Sequence, residues 1–310
     1  MSLTDLKQRP SRYGRTIRTS RFIVGCLVVL GLAAGARGED SDLAKQLQEK
    51  GFAITETKGV GTTVTIKDCT KLSEADFTQI GKLPHVKSIS LGSGINDASM
   101  ALLSGLTEVE MCGSNGMQLT DEGIKPMAQW KKLRSVAFFH PGLSFSGKGL
   151  VYLAECPDLE RLTVAGSPAF GDEGMAAVGK LTQLKEFRSW HSGFTLDGVK
   201  SLGTLKGLKS LNLGQRLANK PPVSISNETL PVLAEMASLE ALQLGEARLS
   251  LAALRELKHL PQLKKLTLDG IQLPAADVDL LKKELPKVEI KWTEPSEAYK
   301  KRILQLFGAE

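Results

Sequence analysis

The feature that most constrains the fold is a short apolar pattern that returns about every 25 residues along the chain. In each copy an apolar residue is followed by two variable residues, a second apolar residue, one variable residue and a third apolar residue. The copies are Val86–Leu91, Leu133–Phe138, Leu159–Val164, Leu184–Ser189, Leu208–Leu213, Leu239–Leu244 and Leu263–Leu268, with truncated copies at Val64–Ile66 and Val288–Ile290. So regular a period predicts an array of stacked units rather than separate globular domains.

Each copy predicts a strand followed by a short helix. The last two apolar residues of a copy are two positions apart, so their side chains lie on one face of a strand. The segment after the strand carries apolar residues at three-residue spacing, as in Met175, Val178 and Leu181, which is typical of one helix face. One unit alone cannot bury its apolar strand face and its apolar helix face, but stacked units bury these faces against each other. The pattern therefore predicts parallel strands on one side of the array and helices on the other.

The pattern and the residues that open each helical half resemble those of the leucine-rich repeat family. The openings are Thr120–Gly123, Asp172–Gly174, Leu196–Gly198 and Asn96–Ser99, and they are similar to the Thr-Asp-x-Gly openings of bacterial exported arrays. The resemblance covers residues 61–290. It implies an α/β fold, a right-handed curved solenoid with a parallel concave sheet and convex helices. It also implies a role in protein-protein interaction.

Two departures from the family pattern are visible. The asparagine that often follows the strand in this family is absent, and the residues near that position are Gly94, Ser167, Ser192, Ala247 and Ile271. In the unit at residues 106–124 two registers fit, one beginning at Leu106 and the other at Val109. Both registers stay open at this point, because they differ by three residues and each begins at an apolar residue.

The first 38 residues predict an export signal. Basic residues up to Arg21 precede an apolar core over residues 22–34, and small residues follow just before Glu39. This order predicts a secretory signal peptide over residues 1–38; the alternatives are a buried helix or an uncleaved anchor. Cleavage predicts an exported protein that is periplasmic, at the cell surface or extracellular. No apolar run reaches the roughly 20 residues of a membrane span, so we expect no integral membrane insertion after signal cleavage.

The segments on either side of the repeats are predicted to be caps. Residues 39–60 predict an N-terminal cap, a helix over Ser41–Lys50 followed by a hairpin. Residues 291–310 predict a C-terminal capping helix, with an amphipathic pattern over Pro295–Phe307. Polar-faced covers are expected at both places, because the ends of a solenoid expose apolar edges.

The charge distribution argues against nucleic acid as a partner. Residues 1–38 carry seven of the 40 basic groups and one of the 34 acidic groups, so the rest of the chain has 33 of each. A formally neutral chain offers no electrostatic attraction to a phosphate backbone.

No pattern of catalytic or metal-binding residues appears. The histidines are His85, His140, His191 and His259, with no pair at helical ligand spacing, and we expect no metal and no cofactor. The segment Gly142–Gly149 is close to a phosphate-binding loop, but Gly149 stands where a Ser or Thr is needed. The cysteines left after Cys26 are odd in number, which favours buried thiols over one disulfide and a free thiol. We therefore expect no enzyme.

Four residues are candidates for a protein-binding surface on the predicted concave face: Phe139, Arg161, Arg188 and Trp190. Phe139 and Trp190 occupy the same outward position two strands apart, which predicts a ring separation of roughly 10 Å across the small Ala165. The two arginines are expected beside them, and tryptophan and arginine are frequent interface anchors. The alternative is that both rings pack into the rim of a turn. A long insertion over residues 214–226 is a second candidate surface.

These features predict an exported, non-catalytic leucine-rich-repeat binding protein whose concave face engages a protein ligand. The alternative is a structural component of a cell-envelope assembly without a soluble ligand. The two hypotheses differ in whether the aromatic residues recognise a partner that can dissociate.

Overall fold

The computed structural model describes Lys50, residues 52–57 and residues 61–309. The predicted export signal over residues 1–38 lies outside these residues, as do residues 41–49 of the helix predicted over Ser41–Lys50. The described residues form one eleven-stranded sheet whose strands follow sequence order. All neighbours are parallel except the first two strands, which are antiparallel. The strands are β1 (Phe52–Thr57), β2 (Gly61–Asp68), β3 (Val86–Ser93), β4 (Met111–Asn115), β5 (Ser135–Phe139), β6 (Arg161–Ala165), β7 (Glu186–Trp190), β8 (Ser210–Gly214), β9 (Ala241–Gly245), β10 (Lys265–Asp269) and β11 (Glu289–Thr293).

A helical segment follows every strand from β2 onward, so the described chain is an α/β solenoid. The α-helices are α1 (Glu74–Ile80), α2 (Asp97–Leu102), α3 (Asp172–Val178), α4 (Leu196–Lys200), α5 (Thr229–Ala234), α6 (Leu251–Leu254), α7 (Ala275–Glu284) and α8 (Glu297–Phe307). The 3-10 helices are Cys69–Lys71, Glu122–Gln129, Lys148–Glu155, Ser201–Thr204 and Arg255–His259. None of the helices in the described part is long and apolar enough to cross a membrane.

The core runs the length of the sheet. The second and fourth residues of each five-residue strand face the helices; in β6 these are Leu162 and Val164, which are 1% and 0% exposed. Leu162 pairs in register with Val136 on one side and Phe187 on the other. This pairing continues from strand to strand and builds one apolar column. The inward-facing positions predicted from the repeat are thereby confirmed.

The strand pairing decides the register near residues 106–124. Cys112 pairs with Ile89 on one side and with Val136 on the other, so the repeat begins at Val109. The register that begins at Leu106 is wrong, because it would bury Met111, which is 45% exposed on the outer face.

Acidic residues at the helix openings join one repeat to the next. Asp172 accepts hydrogen bonds from the amide of Thr195 (2.6 Å), the hydroxyl of Thr195 (2.8 Å) and the amide of Gly198 (3.1 Å). Asp97 accepts the corresponding bonds from the amide and hydroxyl of Thr120. The amides at a helix start have no partner within the helix, so these carboxylates satisfy them. Each acid therefore stabilises the helix start of the following repeat.

Asp121 makes the same kind of contact in the segment that is close to a phosphate-binding loop. Its carboxylate accepts hydrogen bonds from the amides of Gly147 (2.8 Å) and Gly149 (3.2 Å). Lys148, which would reach a phosphate, lies 2.8 Å from a carboxylate oxygen of Glu173. The groups that such a loop would offer to a phosphate are already paired within the solenoid.

The C-terminal helix α8 runs back across the array. The ring of Tyr299 packs against Gly270, which follows β10. Arg302 binds the carboxylate of Glu246, which follows β9, and the carbonyl of Arg216, just beyond β8. These contacts place α8 along the carboxyl ends of three strands rather than over the end of the array.

The three cysteines of the described residues are free, buried thiols: Cys69, Cys112 and Cys156. Burial raises the pKa of Cys112 to about 12 and that of the other two to about 11. The favoured interpretation of small buried residues is confirmed, and the alternative with one disulfide is wrong.

Candidate functional site

The rings of Phe139 and Trp190 contact each other on the outer face of the sheet. Each is the fifth residue of its strand, and Ala165 of β6 lies in register between them. The ring centroids are 6.3 Å apart and the ring planes are inclined by 56°. The expected separation of roughly 10 Å is wrong, because both side chains lean over Ala165, whose methyl group leaves them room. We call these two residues the aromatic pair.

Strand alternation separates the aromatic pair from the core. The residues just before the two rings, Phe138 and Ser189, are both 0% exposed, and successive side chains point to opposite faces of a sheet. Both rings of the pair are half-buried. They pack against each other and keep part of their surface open to solvent.

A glycine on the next strand makes room for the indole. A Cβ atom at Gly214 would overlap the Cβ of Trp190. Gly245 is paired with Gly214 one strand further, and a Cβ there would meet only ordinary contacts, the nearest at 3.6 Å. Two glycines on successive strands therefore lie beside the indole on this face, with Gly214 buried and Gly245 half-buried.

The two candidate arginines are placed differently. Arg188 lies two residues before Trp190 on the same face of β7, about 7 Å away along the strand, and its guanidinium pairs with Glu186. Arg161 is the first residue of β6, four positions before Ala165, which corresponds to about 13 Å. The structure thus brings Arg188 to the aromatic pair and leaves the exposed Arg161 at the opposite end of its strand.

Non-glycine residues with a left-handed backbone cluster beside the aromatic pair. The position directly after a strand has a positive φ in most repeats, and Gly116 (77°) is an example of the usual occupant. His140, His191 and Glu246 hold the same conformation with φ of 47°, 51° and 59°, at a cost of about 1 kcal/mol or more each. The two histidines directly follow the residues of the aromatic pair. Backbone strain of this kind accumulates at functional sites.

A hydrogen-bonded cluster of His191, Glu246 and Arg302 lies at the carboxyl ends of these strands. The His191 Nε2 lies 2.7 Å from Oε1 of Glu246, and Arg302 binds the other carboxylate oxygen. Glu246 is 8% exposed, so its charge is largely withdrawn from water. Burial and the nearby Glu246 carboxylate raise the pKa of Tyr299 to about 12. The cluster connects the residue after Trp190 to helix α8.

This cluster was not predicted from the sequence, because Glu246 is separated from His191 by 55 residues and from Arg302 by 56. One signal could have pointed to it. Glycine with a positive φ directly follows β3, β4, β6 and β10, whereas His191 and Glu246 hold this position after β7 and β9.

The loop over residues 214–226 lies beside the same carboxyl ends of the strands. Gln215 is fully buried and holds the loop closed, with its Oε1 accepting a hydrogen bond from the amide of Ser224 at 2.7 Å. The amide of His191 donates to the carbonyl of Gln215 at 3.1 Å, which joins the loop to the turn after β7. Leu217 in this loop is 47% exposed. The loop and the aromatic pair are therefore neighbouring parts of one surface.

This surface offers groups for non-covalent contact: two aromatic faces, an indole N–H donor and a guanidinium. Within the part of the chain that the structure describes, no group of three or more His, Cys, Asp or Glu side chains is placed to hold a metal ion. The buried thiols are held in the protonated form by their raised pKa values, and a thiol is a weaker nucleophile than a thiolate.

The fold and this surface define a repeat solenoid with an aromatic pair on the outer face of its sheet. No known protein-family model matches the sequence, and no curated protein matches it. Among solved structures it is similar to the crystal structure of an internalin from Listeria monocytogenes, with 14% sequence identity, coverage of 71% of each chain and a TM-score of 0.45. The solenoid fold itself follows from the strand order and pairing of this chain.

Proposed function

We propose that this chain is an exported, non-catalytic binding protein that engages a protein partner through the outer face of its sheet. The half-buried aromatic pair carries the proposal. Many other outward positions on this face are small or polar, namely Ala137, Thr163, Asn212, Gln243 and Thr267, and the exposed Met111 lies at the opposite end of its strand. Two neighbouring aromatic rings on a largely polar face mark where a partner gains most by excluding water.

Physical chemistry favours Trp190 as the anchor. A buried tryptophan at an interface is worth about 2 kcal/mol or more, and its N–H fixes the orientation of a partner carbonyl. The two rings already pack against each other. Less side-chain freedom is therefore lost on binding than for two independent rings. Arg188 can exchange its Glu186 contact for a carboxylate of the partner.

Export is proposed from the signal pattern of residues 1–38, and the partner would be met in the periplasm, at the cell surface or outside the cell. The proposal assigns no cofactor and no nucleic acid. A structural role in a cell-envelope assembly is the competing function.

The test compares affinity capture by three forms of the protein: the wild type, Trp190→Ala and Lys265→Ala. Lys265 is exposed at the first position of β10, three strands away from Trp190, and serves as the matched control. We expect a protein from extracts of the native source to be retained by the wild type and by the control. Trp190→Ala should weaken its binding at least tenfold, or about 1.4 kcal/mol.

Two results decide against the proposal. If Trp190→Ala unfolds the array and spares binding, the ring serves the core and the loop over residues 214–226 becomes the better candidate surface. If no retained protein distinguishes Trp190→Ala from the wild type, the structural role in an envelope assembly is favoured.

A further inference from the structure

The last strand of the sheet, β11, has one paired edge and one open edge. Its paired edge faces β10, where the amide of Glu289 donates to the carbonyl of Lys264 at 2.8 Å. Amides alternate between the two edges along a strand, so the N–H and C=O groups of Ile290 and Trp292 point away from β10. Among the described residues no strand pairs with this side. These groups form what we call the open edge.

Helix α8 does not cover the open edge. Its side chains contact residues that follow β8, β9 and β10, through Arg302 to Arg216 and Glu246 and through Tyr299 to Gly270. All of these lie on the inner side of β11 in the strand order. These contacts take the helix back over the array, and none of them lies on the outer side of β11 within the described part of the chain.

Apolar side chains at this end are incompletely buried. Leu266 and Leu268 of β10 are 0% exposed, whereas their counterparts Ile290 and Trp292 in β11 are only half-buried. Leu280 on α7, the helix beside β11, is 42% exposed. In every earlier repeat the following strand covers these positions. No further strand follows β11 among the described residues to bury these side chains.

The charges of β11 specify which strand would fit. Glu289 and Lys291 flank Ile290 on the outer face and form an ion pair at 3.0 Å within the strand. We propose that the open edge pairs with β11 of a second copy of this chain, antiparallel, with Ile290 opposite Ile290. In this register Glu289 of each chain stands opposite the partner's Lys291, and the ion pairs form between the chains.

The neighbouring register is disfavoured by the same charges. In that register the two-fold axis between the chains passes beside Lys291 instead of Ile290. Lys291 then lies directly opposite the partner's Lys291, and like charges in opposed positions repel. Natural sheet edges are often protected from association by unpaired lysines. Here the lysine is matched by a glutamate two residues earlier, so the strand is complementary to itself instead of repelling its own copy.

The backbone supports the same pairing. The amide of Ile290 donates to the carbonyl of the partner's Ile290 and the reverse, which is the hydrogen-bonded type of antiparallel pair. The amide of Trp292 donates to the carbonyl of the partner's Val288. The amide of Val288 itself already donates to the carbonyl of Leu285 in the same chain, at 3.0 Å. The sheet then continues through both chains, and each dimer presents two aromatic pairs.

Analytical ultracentrifugation of the purified protein over a concentration series tests the proposal. We expect a reversible dimer, and we expect Glu289→Lys and Lys291→Glu each to raise its dissociation constant at least tenfold. The E289K chain carries two positive charges at these positions and the K291E chain two negative charges. An equimolar mixture of the two variants should therefore recover association as a heterodimer.

Lys265→Glu is the matched control, since it makes the same charge change one strand inward and should leave the dimer intact. Circular dichroism melting of each variant verifies folding. A wild type that stays monomeric at the highest concentration overturns the proposal. So does a dimer that both edge variants leave unchanged, or a mixture of variants that fails to associate.

Discussion

The rings of Phe139 and Trp190 lie 6.3 Å apart between centroids, although β6 separates their strands. Backbones two strands apart are separated by about 10 Å, so the contact depends on both side chains leaning toward each other. Ala165 permits this because it carries only a methyl group between them. The pair is thus a property of three neighbouring repeats, and its energetics can be measured.

The first prediction concerns the coupling of the two rings. A double-mutant cycle with Phe139→Ala and Trp190→Ala, measured by urea unfolding, should give an interaction free energy of about 0.5–1.5 kcal/mol. Trp190→Ala combined with Lys265→Ala should be additive, because those side chains share no contact. Additive behaviour of the two ring variants would show that their contact contributes nothing to stability.

The second prediction concerns Gly214. Gly214→Ala should lower the free energy of unfolding by about 1–3 kcal/mol, because the added methyl group overlaps the Cβ of Trp190. Trp190→Gly in the same chain should recover part of this loss by removing that Cβ. Gly245→Ala is the control and should change stability by less than about 0.5 kcal/mol, since its Cβ has space. Equal effects of the two glycine substitutions would contradict the steric explanation.

The third prediction separates two acids at neighbouring helix starts. Asp172→Ala should cost about 1–3 kcal/mol of unfolding free energy, because it leaves the amides of Thr195 and Gly198 without their acceptor. Asp197→Ala should cost less than about 0.5 kcal/mol, since Asp197 is exposed and its side chain forms an exposed ion pair with Lys200. Chemical denaturation of both variants measures the difference. A larger loss for Asp197 would rule out capping between repeats.

The fourth prediction is a loss of stability in alkaline solution. Burial raises the pKa of Cys112 to about 12 in the folded protein, so its thiol stays protonated at a pH where the thiol of the unfolded chain ionises, near its ordinary pKa of 9.0. The contribution of this group is complete below the unfolded pKa and is lost as the pH rises through the folded pKa. Cys112→Ala should reduce the fall in unfolding free energy between about pH 8 and pH 10 by about 1 kcal/mol. Urea unfolding with a reducing agent measures this, and an unchanged pH dependence in the variant would exclude the thiol as a cause.

The fifth prediction concerns the attachment of α8. Arg302→Met should speed amide hydrogen exchange in Glu297–Phe307, because Arg302 is 15% exposed at its side chain and binds the buried Glu246. Exchange in β5 and β6 should not change. Arg255→Met is the control, since that ion pair with Glu284 is exposed on both sides and contributes little. Unchanged protection of α8 in Arg302→Met would mean that apolar packing alone holds the helix.

The repeat and its inward positions could be predicted because they depend on spacing along the chain. Leu162 and Val164 are two residues apart, and strand geometry alone places them on one face. Their burial follows from stacking such faces. The register near residues 106–124 could not be decided in this way, because Leu106 and Val109 are both apolar and both buried. Only the pairing of Cys112 with its neighbours separates the two possibilities.

The candidate surface was predictable in part. The outward position of Phe139 and Trp190 follows from the repeat, but their mutual contact depends on side-chain rotamers, which the pattern of apolar residues does not contain. Arg161 was expected beside the rings, yet it lies at the far end of β6, since four residues along a strand amount to about 13 Å. Alternation assigns a face to a residue without assigning its position along that face.

By itself the sequence determined that this chain stacks strand-helix units into an α/β solenoid and which side chains fill the core. Those properties rest on periods of two to about four residues and on a repeat near 25, all of them local in the chain. Tertiary structure alone decided the contact of the two rings, the link from His191 through Glu246 to Arg302, and the open edge of β11. These depend on which distant residues the coil of the solenoid brings together, and no local period encodes a contact between side chains 55 residues apart.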